Sequence, residues 1–294
     1  LYGPDKKHIA SNDDADNQQD SKIDFTAPAD GEFTLRVRDH LKKGGDDYVY
    51  RIEAQAISPN LSLTIPYFAR ADYQSRQMVY VARGNRFATR INAGRTNFGG
   101  DLLIEASGLP EGVTLKADPM HASVSSGVLL FEATAEAPLN GALSSLIARH
   151  ADAEKKISGS FSQPLDFVLG QPNNTVYYKS IAPRFAVAVV EELPFEINVE
   201  PPAVPLVRNG TLGLRVKVTR KEGFDAPITL RQLWSPPGIS SQPTIKIPKG
   251  KNEITYTLTA NSGASLRTWK IAVMGESDAG KGQILASSPL VPLT

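Results

Sequence analysis

Residues 11–20 read SNDDADNQQD, with four aspartates and two asparagines in ten positions. Oxygen donors at that density are what calcium, a hard cation, takes as ligands. An EF-hand loop wants oxygens at its first, third and fifth positions, glycine at the sixth and glutamate at the twelfth. Counted from Asn12, the first three fall on Asn12, Asp14 and Asp16, but Asn17 holds the sixth place and Ile23 the twelfth. Two readings of Asp13, Asp14, Asp16 and Asp20 follow. One is a calcium loop of another kind; the other is a solvated turn between strands, whose Asp and Asn side chains bond their own backbone. The turn is the expectation, with no cofactor unless it is that calcium.

The other chemistry-bearing residues are scattered. His8, His40, His121 and His150 lie far apart in polar or turn-like contexts, and no H-E-x-x-H, G-x-S-x-G or G-x-x-x-x-G-K-[ST] occurs. Glu191 and Glu192 are adjacent and would point to opposite faces of a strand. The absence of cysteine removes disulfides, thiolate catalysis and cysteine-ligated zinc. Trp234, beside Pro236 and Pro237, is the candidate for an exposed ligand platform, whereas Trp269 alternates with Ile271 and Val273 and belongs in a core. No catalytic site is expected; a pocket gathering His121 or His150 with a carboxylate would revise that.

Lys plus Arg number 32 against 31 Asp plus Glu, a net charge of +1 that gives no reason to expect nucleic acid as a partner. No apolar run approaches the ~20 residues of a membrane-spanning helix. The longest candidate, FAVAVV at residues 185–190, suits a buried strand. The chain opens LYGPDKKH, without an initiator Met or a signal pattern, and is expected to be cut from a longer exported chain.

Strands must position these residues, because the apolar period is two. Leu212, Leu214, Val216 and Val218 share one face, as do Ile254, Tyr256 and Leu258. Glycine (23) and proline (21) punctuate these runs closely enough to favour antiparallel sandwiches over βαβ units. LNGALSSLIARHADAEKK has a helical pattern, yet its Leu146, Ile147 and Ala148 fall where an internal repeat requires a strand. Displaced by 126 positions without a gap, the last third matches the middle third. Gly210 then meets Gly84, Phe224 meets Phe98, Ile228 meets Leu102 and Leu230 meets Ile104. Pro236 meets Pro110, Gly238 meets Gly112, Ile239 meets Val113 and Val273 meets Ile147. Each copy supplies a strand followed by a Pro-x-Gly turn, so two related sandwiches are expected. Residues 150–194 exceed what one sandwich of ~100 residues needs. LDFVLG (165–170) and VYYKSIAPRFAVAVVEE (176–192) should therefore add strands. EPPAVP (200–205) is expected to stiffen the junction between the last two units.

A further unit precedes these. Ile23 and Phe25, then Phe33, Leu35 and Val37, then Tyr48, Tyr50 and Ile52 alternate as a three-strand meander, with charged turns between. YGPDKKHIASNDD, IDFTAPADGEFTLRVRD and GGDDYVYRIEA resemble the bacterial pre-peptidase C-terminal domain family, with Phe33 where that family usually has Tyr. The match spans about residues 1–56 and looks like the C-terminal half of such a sandwich. The two later units, including LPFEINVEPPAVPLVRNG, look like the immunoglobulin-like repeats that follow these domains in large secreted proteins of planctomycete-type bacteria. The resemblance implies an exported, multidomain protein whose modules carry no peptidase residues.

The expectation is thus an all-β chain of tandem antiparallel β-sandwiches: a partial pre-peptidase-C-like unit at 1–64 and two Ig-like domains at 65–192 and 193–294. Its expected role is a non-catalytic stalk, adhesion or protein-interaction region, extracellular or at the cell surface. Its partners would be upstream domains of the same protein and an extracellular protein or polysaccharide. The alternative is a carbohydrate- or substrate-binding accessory of an upstream secreted hydrolase or peptidase.

Overall fold

The computed structural model of the chain describes every residue except 16–19, 67–77, 174, 279 and 281. Its contacts divide it into two compact units, Leu1–Ser58 and Pro59–Thr294.

In the first unit, Tyr2 and Thr34 exchange backbone hydrogen bonds of 2.9 and 3.0 Å, Tyr2 also bridges His8, and Phe25 meets Phe33 edge-on at 5.1 Å. The expected three-strand meander does not form: no strand ladder lies among the described residues here. Leu35, Val37, Tyr50 and Ile52 alternate as the sequence promised, but they are exposed and, with Tyr2, line an open groove of about 480 Å³. An alternating strand is stable only where something covers its apolar face, and here nothing described does.

The second unit holds two sandwiches. The first is built from β1 (Asn60–Thr64), β2 (Val79–Ala82), β3 (Arg86–Thr96), β4 (Leu102–Ser107), β5 (Val113–Ala117), β6 (Ser126–Ala133), β7 (Gly141–His150), β8 (Ser158–Ser160), β9 (Gln163–Gly170), β10 (Thr175–Ala182) and β11 (Phe185–Val190). One sheet has the order β1-β3-β6-β5 and the other β2-β11-β7-β4, with β8 beside β7. The ladders are antiparallel, with β2 running parallel to β11. Asn60–Thr64, placed with the first unit in the sequence expectation, is thus an edge strand of this sandwich. The helical pattern around Leu146 resolves into β7 and a 3₁₀ turn at Ala153–Lys155, capped by Asp152 accepting from Glu154 N–H.

The second sandwich comprises β12 (Phe195–Val199), β13 (Thr211–Arg220), β14 (Ile228–Gln232), β15 (Ile239–Ser241), β16 (Ile245–Ile247), β17 (Glu253–Ala260), β18 (Trp269–Ile271), β19 (Val273–Asp278), β20 (Gln283–Ser287) and β21 (Val291–Leu293). Its sheets run β12-β13-β17-β15 and β16-β14-β19-β20, and β18 pairs with β21. Both sandwiches have the strand order of immunoglobulin-like domains. EPPAVP does not join them. It lies inside the second sandwich between β12 and β13, where Glu200 N–H reaches Arg215 O and Leu206 N–H reaches Thr294 O. The junction is residues 191–194, between β11 and β12.

The repeat is real in strand order, but its register steps. Phe98 and Phe224 precede equivalent strands, and Gly112 and Gly238 hold the same turn with φ of 77° and 79°. The Gly84–Gly210 match is one residue out, since the left-handed position of that turn is Gly84 in one sandwich and Asn209 in the other. Ile147–Val273 is also one out. Glu105 pairs with Ile147 and Arg231 pairs with Met274, so Ile147 answers to Met274 and Leu146 to Val273. Turns absorb single-residue differences, whereas a strand cannot slip by one without turning its core face outward.

The two sandwiches lie face to face. In β19 and β20, Val273 and Ala286 fill the second sandwich's own core, while Met274 and Leu285, together with Leu233, Trp234, Trp269 and Ala272, join the core of the first. Val128, Leu129, Leu130 and Phe131 of β6 are buried on both faces for the same reason. Polar contacts pin the joint. Ala88 N–H donates to Ser287 Oγ (2.8 Å), Asn85 Nδ2 to Phe195 O (3.0 Å) and Trp234 Nε1 to Ser126 Oγ (3.0 Å), and Lys270 pairs with Asp118 (3.1 Å).

Candidate functional site

Of the acidic residues, Asp13, Asp14 and Asp20 are exposed, and Asp16 lies outside the described residues. The loop closes on itself: Ser21 Oγ donates to Asp13 O, Asn12 Nδ2 to Asp14 O, Lys22 N–H to Asn12 Oδ1 and Ala15 N–H to Asp20 O. Among the described residues, no three His, Asp or Glu side chains gather closely enough to hold a metal ion. Asp13, Asp14 and Asp20 enter these bonds through their backbone oxygens, and Asn12 bonds through both its Nδ2 and its Oδ1.

The joint between the sandwiches brings together a histidine, a carboxylate and a serine. His121 Nδ1 lies 2.7 Å from Ser123 Oγ and also accepts from Ser123 N–H (3.1 Å), while its Nε2 is 3.9 Å from Asp101 Oδ1. Asp101 Oδ1 is occupied by Ala122 N–H at 2.8 Å. This resembles a nucleophile–base–orienter set only on paper, because 3.9 Å is beyond hydrogen-bond range and the serine bonds belong to a local turn. The adjoining cavity, bordered by His121, Met120, Trp234 and Trp269, has about 30 Å³ of room, enough for water and not for a substrate. Trp269 Nε1 is buried there with no hydrogen-bond partner among the described residues. His150 is a brace: its Nε2 donates to Gly99 O (3.0 Å) and its Nδ1 accepts from Asp152 N–H (2.9 Å).

Trp234 is not an exposed platform. It is 9% exposed and packs edge-on against Trp269 at 5.6 Å within the second sandwich, while its Nε1 reaches Ser126 across the joint. The flanking prolines suggested a surface position, but the second sandwich covers the site with the first.

Tyr48 and Tyr50 are exposed in the first unit; in the second, the exposed aromatic residues among those described lie on the β9–β10 hairpin. Phe167, Tyr177 and Tyr178 are 61%, 63% and 61% exposed. The hairpin is anchored at its base, where buried Gln163 Oε1 accepts from Ile65 N–H at 2.8 Å. The second sandwich has only residues 279–282 between the equivalent strands, so the hairpin is an addition to the fold. The surplus of residues 150–194 announced extra strands, and β9, β10 and β11 supply them. Nothing in the alternation of that stretch identified which side chains would be displayed, because the pairing contains irregularities on both sides of Tyr178.

No family model matches the chain, and no curated protein matches it. Among solved structures, the D00-D0 domain of intimin is similar at 10% identity, covering 80% of this chain and 99% of that one, with a TM-score of 0.25. The D0-D1 domain of intimin is similar at 11% identity, with coverages of 80% and 97% and a TM-score of 0.26. The fibronectin(III)-like modules of Clostridium thermocellum CbhA are similar at 11% identity, with coverages of 79% and 91% and a TM-score of 0.21. Superposition this loose gives no guide to function.

Proposed function

We propose that the chain is a non-catalytic interaction module of a larger secreted or cell-surface protein, acting as a rigid spacer that presents the β9–β10 hairpin. The observation that carries this is the shared core: apolar residues of β18, β19 and β20 are buried against β3 and β6 of the neighbouring sandwich. Two domains joined by four residues and a common core move as one body, which suits a spacer better than a string of independent beads. The crowded joint around His121, with room for water alone, supports a non-enzymatic role. The motif likeness of residues 1–56 to pre-peptidase C-terminal domains supports bacterial export and attachment to further domains.

Force spectroscopy on the chain tests the reading. Pulling should unfold Pro59–Thr294 in one event. Two separate ruptures would overturn the single-body spacer, and a hydrolytic activity lost in His121→Ala would overturn the non-catalytic role.

A further inference from the structure

The β9–β10 hairpin carries more than its position. Consecutive residues of a regular strand point to opposite faces, so Tyr177 and Tyr178 would normally be split between the two sides. Here the pairing runs Val176 with Leu169, Tyr178 with Val168 and Lys179 with Asp166, leaving Tyr177 and Phe167 as the extra residues of two offset bulges. A bulge re-aims the side chains around it, and bulges recur beside functional sites. The ring contacts agree. Tyr178 meets Phe167 edge-on at 6.3 Å, while Tyr177 lies over Gly170, where an added Cβ would come within 2.5 Å of its ring, and donates from its hydroxyl to Gln171 O (3.4 Å). The charges of the segment, Asp166 and Lys179, pair with each other at 3.9 Å, leaving the aromatic cluster without net charge. The sister sandwich manages without any hairpin here, so the fold does not require these rings.

We propose that Phe167, Tyr177 and Tyr178 form a stacking platform for a neutral polysaccharide. The Tyr177 ring lies close over Gly170 and is 63% exposed, which leaves most of an aromatic surface for the apolar face of a pyranose ring. The local charge balance matches an uncharged polymer rather than an acidic or basic partner. The Tyr178 hydroxyl and the Asn173 side chain offer hydrogen bonds to sugar hydroxyls, and the Tyr177 and Thr175 hydroxyls, which donate to Gln171 O and Pro172 O, can accept them. The inference rests on the interaction-module reading and names its ligand class.

The test is depletion binding of the whole chain to three insoluble neutral polysaccharides: amorphous cellulose, xylan and chitin. Retention on at least one is expected, unaffected by salt, with Tyr177→Ala and Tyr178→Ala each weakening it roughly tenfold. The far-ultraviolet circular dichroism and the melting temperature of these variants should be unchanged, since the rings lie outside both cores. Absence of retention on all three overturns the proposal, as does retention that survives the Tyr177→Ala/Tyr178→Ala double variant. Single-event unfolding without retention would leave the spacer standing and sink the platform. Capture of a protein through this hairpin without polysaccharide retention would do the same.

Discussion

Four arginines do at the scale of single residues what the sequence motifs did not announce. Arg83 Nε donates to Ala137 O (2.7 Å) and Arg208 Nε to Ala264 O (2.8 Å), closing the same end of each sandwich. At the other end, Arg95 donates to Val124 O, Met120 O and His121 O, and Arg220 donates to Ala226 O and Lys251 O. The signal was present as an Arg pair of identical spacing around β3 and β13, but an arginine in a turn usually reads as solvated charge. Arg95→Met should destabilise the chain by about 2 kcal/mol or more in urea unfolding, because three carbonyls lose charge-assisted hydrogen bonds. Glu192, in the junction between the sandwiches, behaves oppositely to a buried group. The hydrogen bond from Lys221, and then the charge of that ammonium, hold its carboxyl below the usual carboxylate range. A lowered folded-state pKa stabilises above the ordinary glutamate range and is lost as the pH falls through the folded value. A carbon-detected NMR titration should give Glu192 a midpoint below that of a free glutamate, and Lys221→Gln should raise it.

Strands were legible at the scale of elements wherever an alternating run had a cover. Leu212, Leu214, Val216 and Val218 sit on β13 as read, and Phe185–Val190 is the strand that closes the first sandwich. The alternation at residues 23–52 was equally clear and produced no ladder, because periodicity describes a face and not its partner. The β9–β10 hairpin shows the converse, with good strand propensity in a segment the sandwich does not need. Replacing residues 165–180 by a short Gly–Asn turn should therefore change stability by less than about 1 kcal/mol, since shortening a surface loop costs little and Gln163 stays in place. A drop of several kcal/mol in the denaturation free energy would show that the hairpin is part of the core.

At the scale of the whole molecule, the face-to-face joint explains which outward positions are apolar. Val128 and Leu130 of the first sandwich are buried in the joint, whereas the equivalent Thr255 and Thr257 of the second are exposed. Met274 and Trp269 on the docking face answer to Ile147 and Ala142, which are only half-buried on the outer sheet of the first sandwich. The contact is head-to-tail between similar domains, a geometry that would continue into a filament if each copy kept both faces apolar. On the second sandwich that face carries the exposed, polar Thr255 and Thr257 instead. Thr255→Val combined with Thr257→Leu should restore an apolar face and drive concentration-dependent self-association in sedimentation velocity. A variant that stays monomeric at high concentration would refute this account of the closed pair.

The sequence by itself determined the all-β class, the two related sandwiches with their Pro-x-Gly turns at Gly112 and Gly238, and the lack of a recognisable catalytic motif. These follow from local rules, namely period two, the conformational freedom of glycine and the chemistry of side-chain spacing. The tertiary structure alone decided that Trp234 is buried in a joint, that EPPAVP lies within a domain and that Phe167, Tyr177 and Tyr178 are displayed on the added hairpin. Each of those depends on what packs against a face or which residue is left unpaired in a ladder. A single strand does not encode its neighbour in its own pattern; only the assembled sheets supply it.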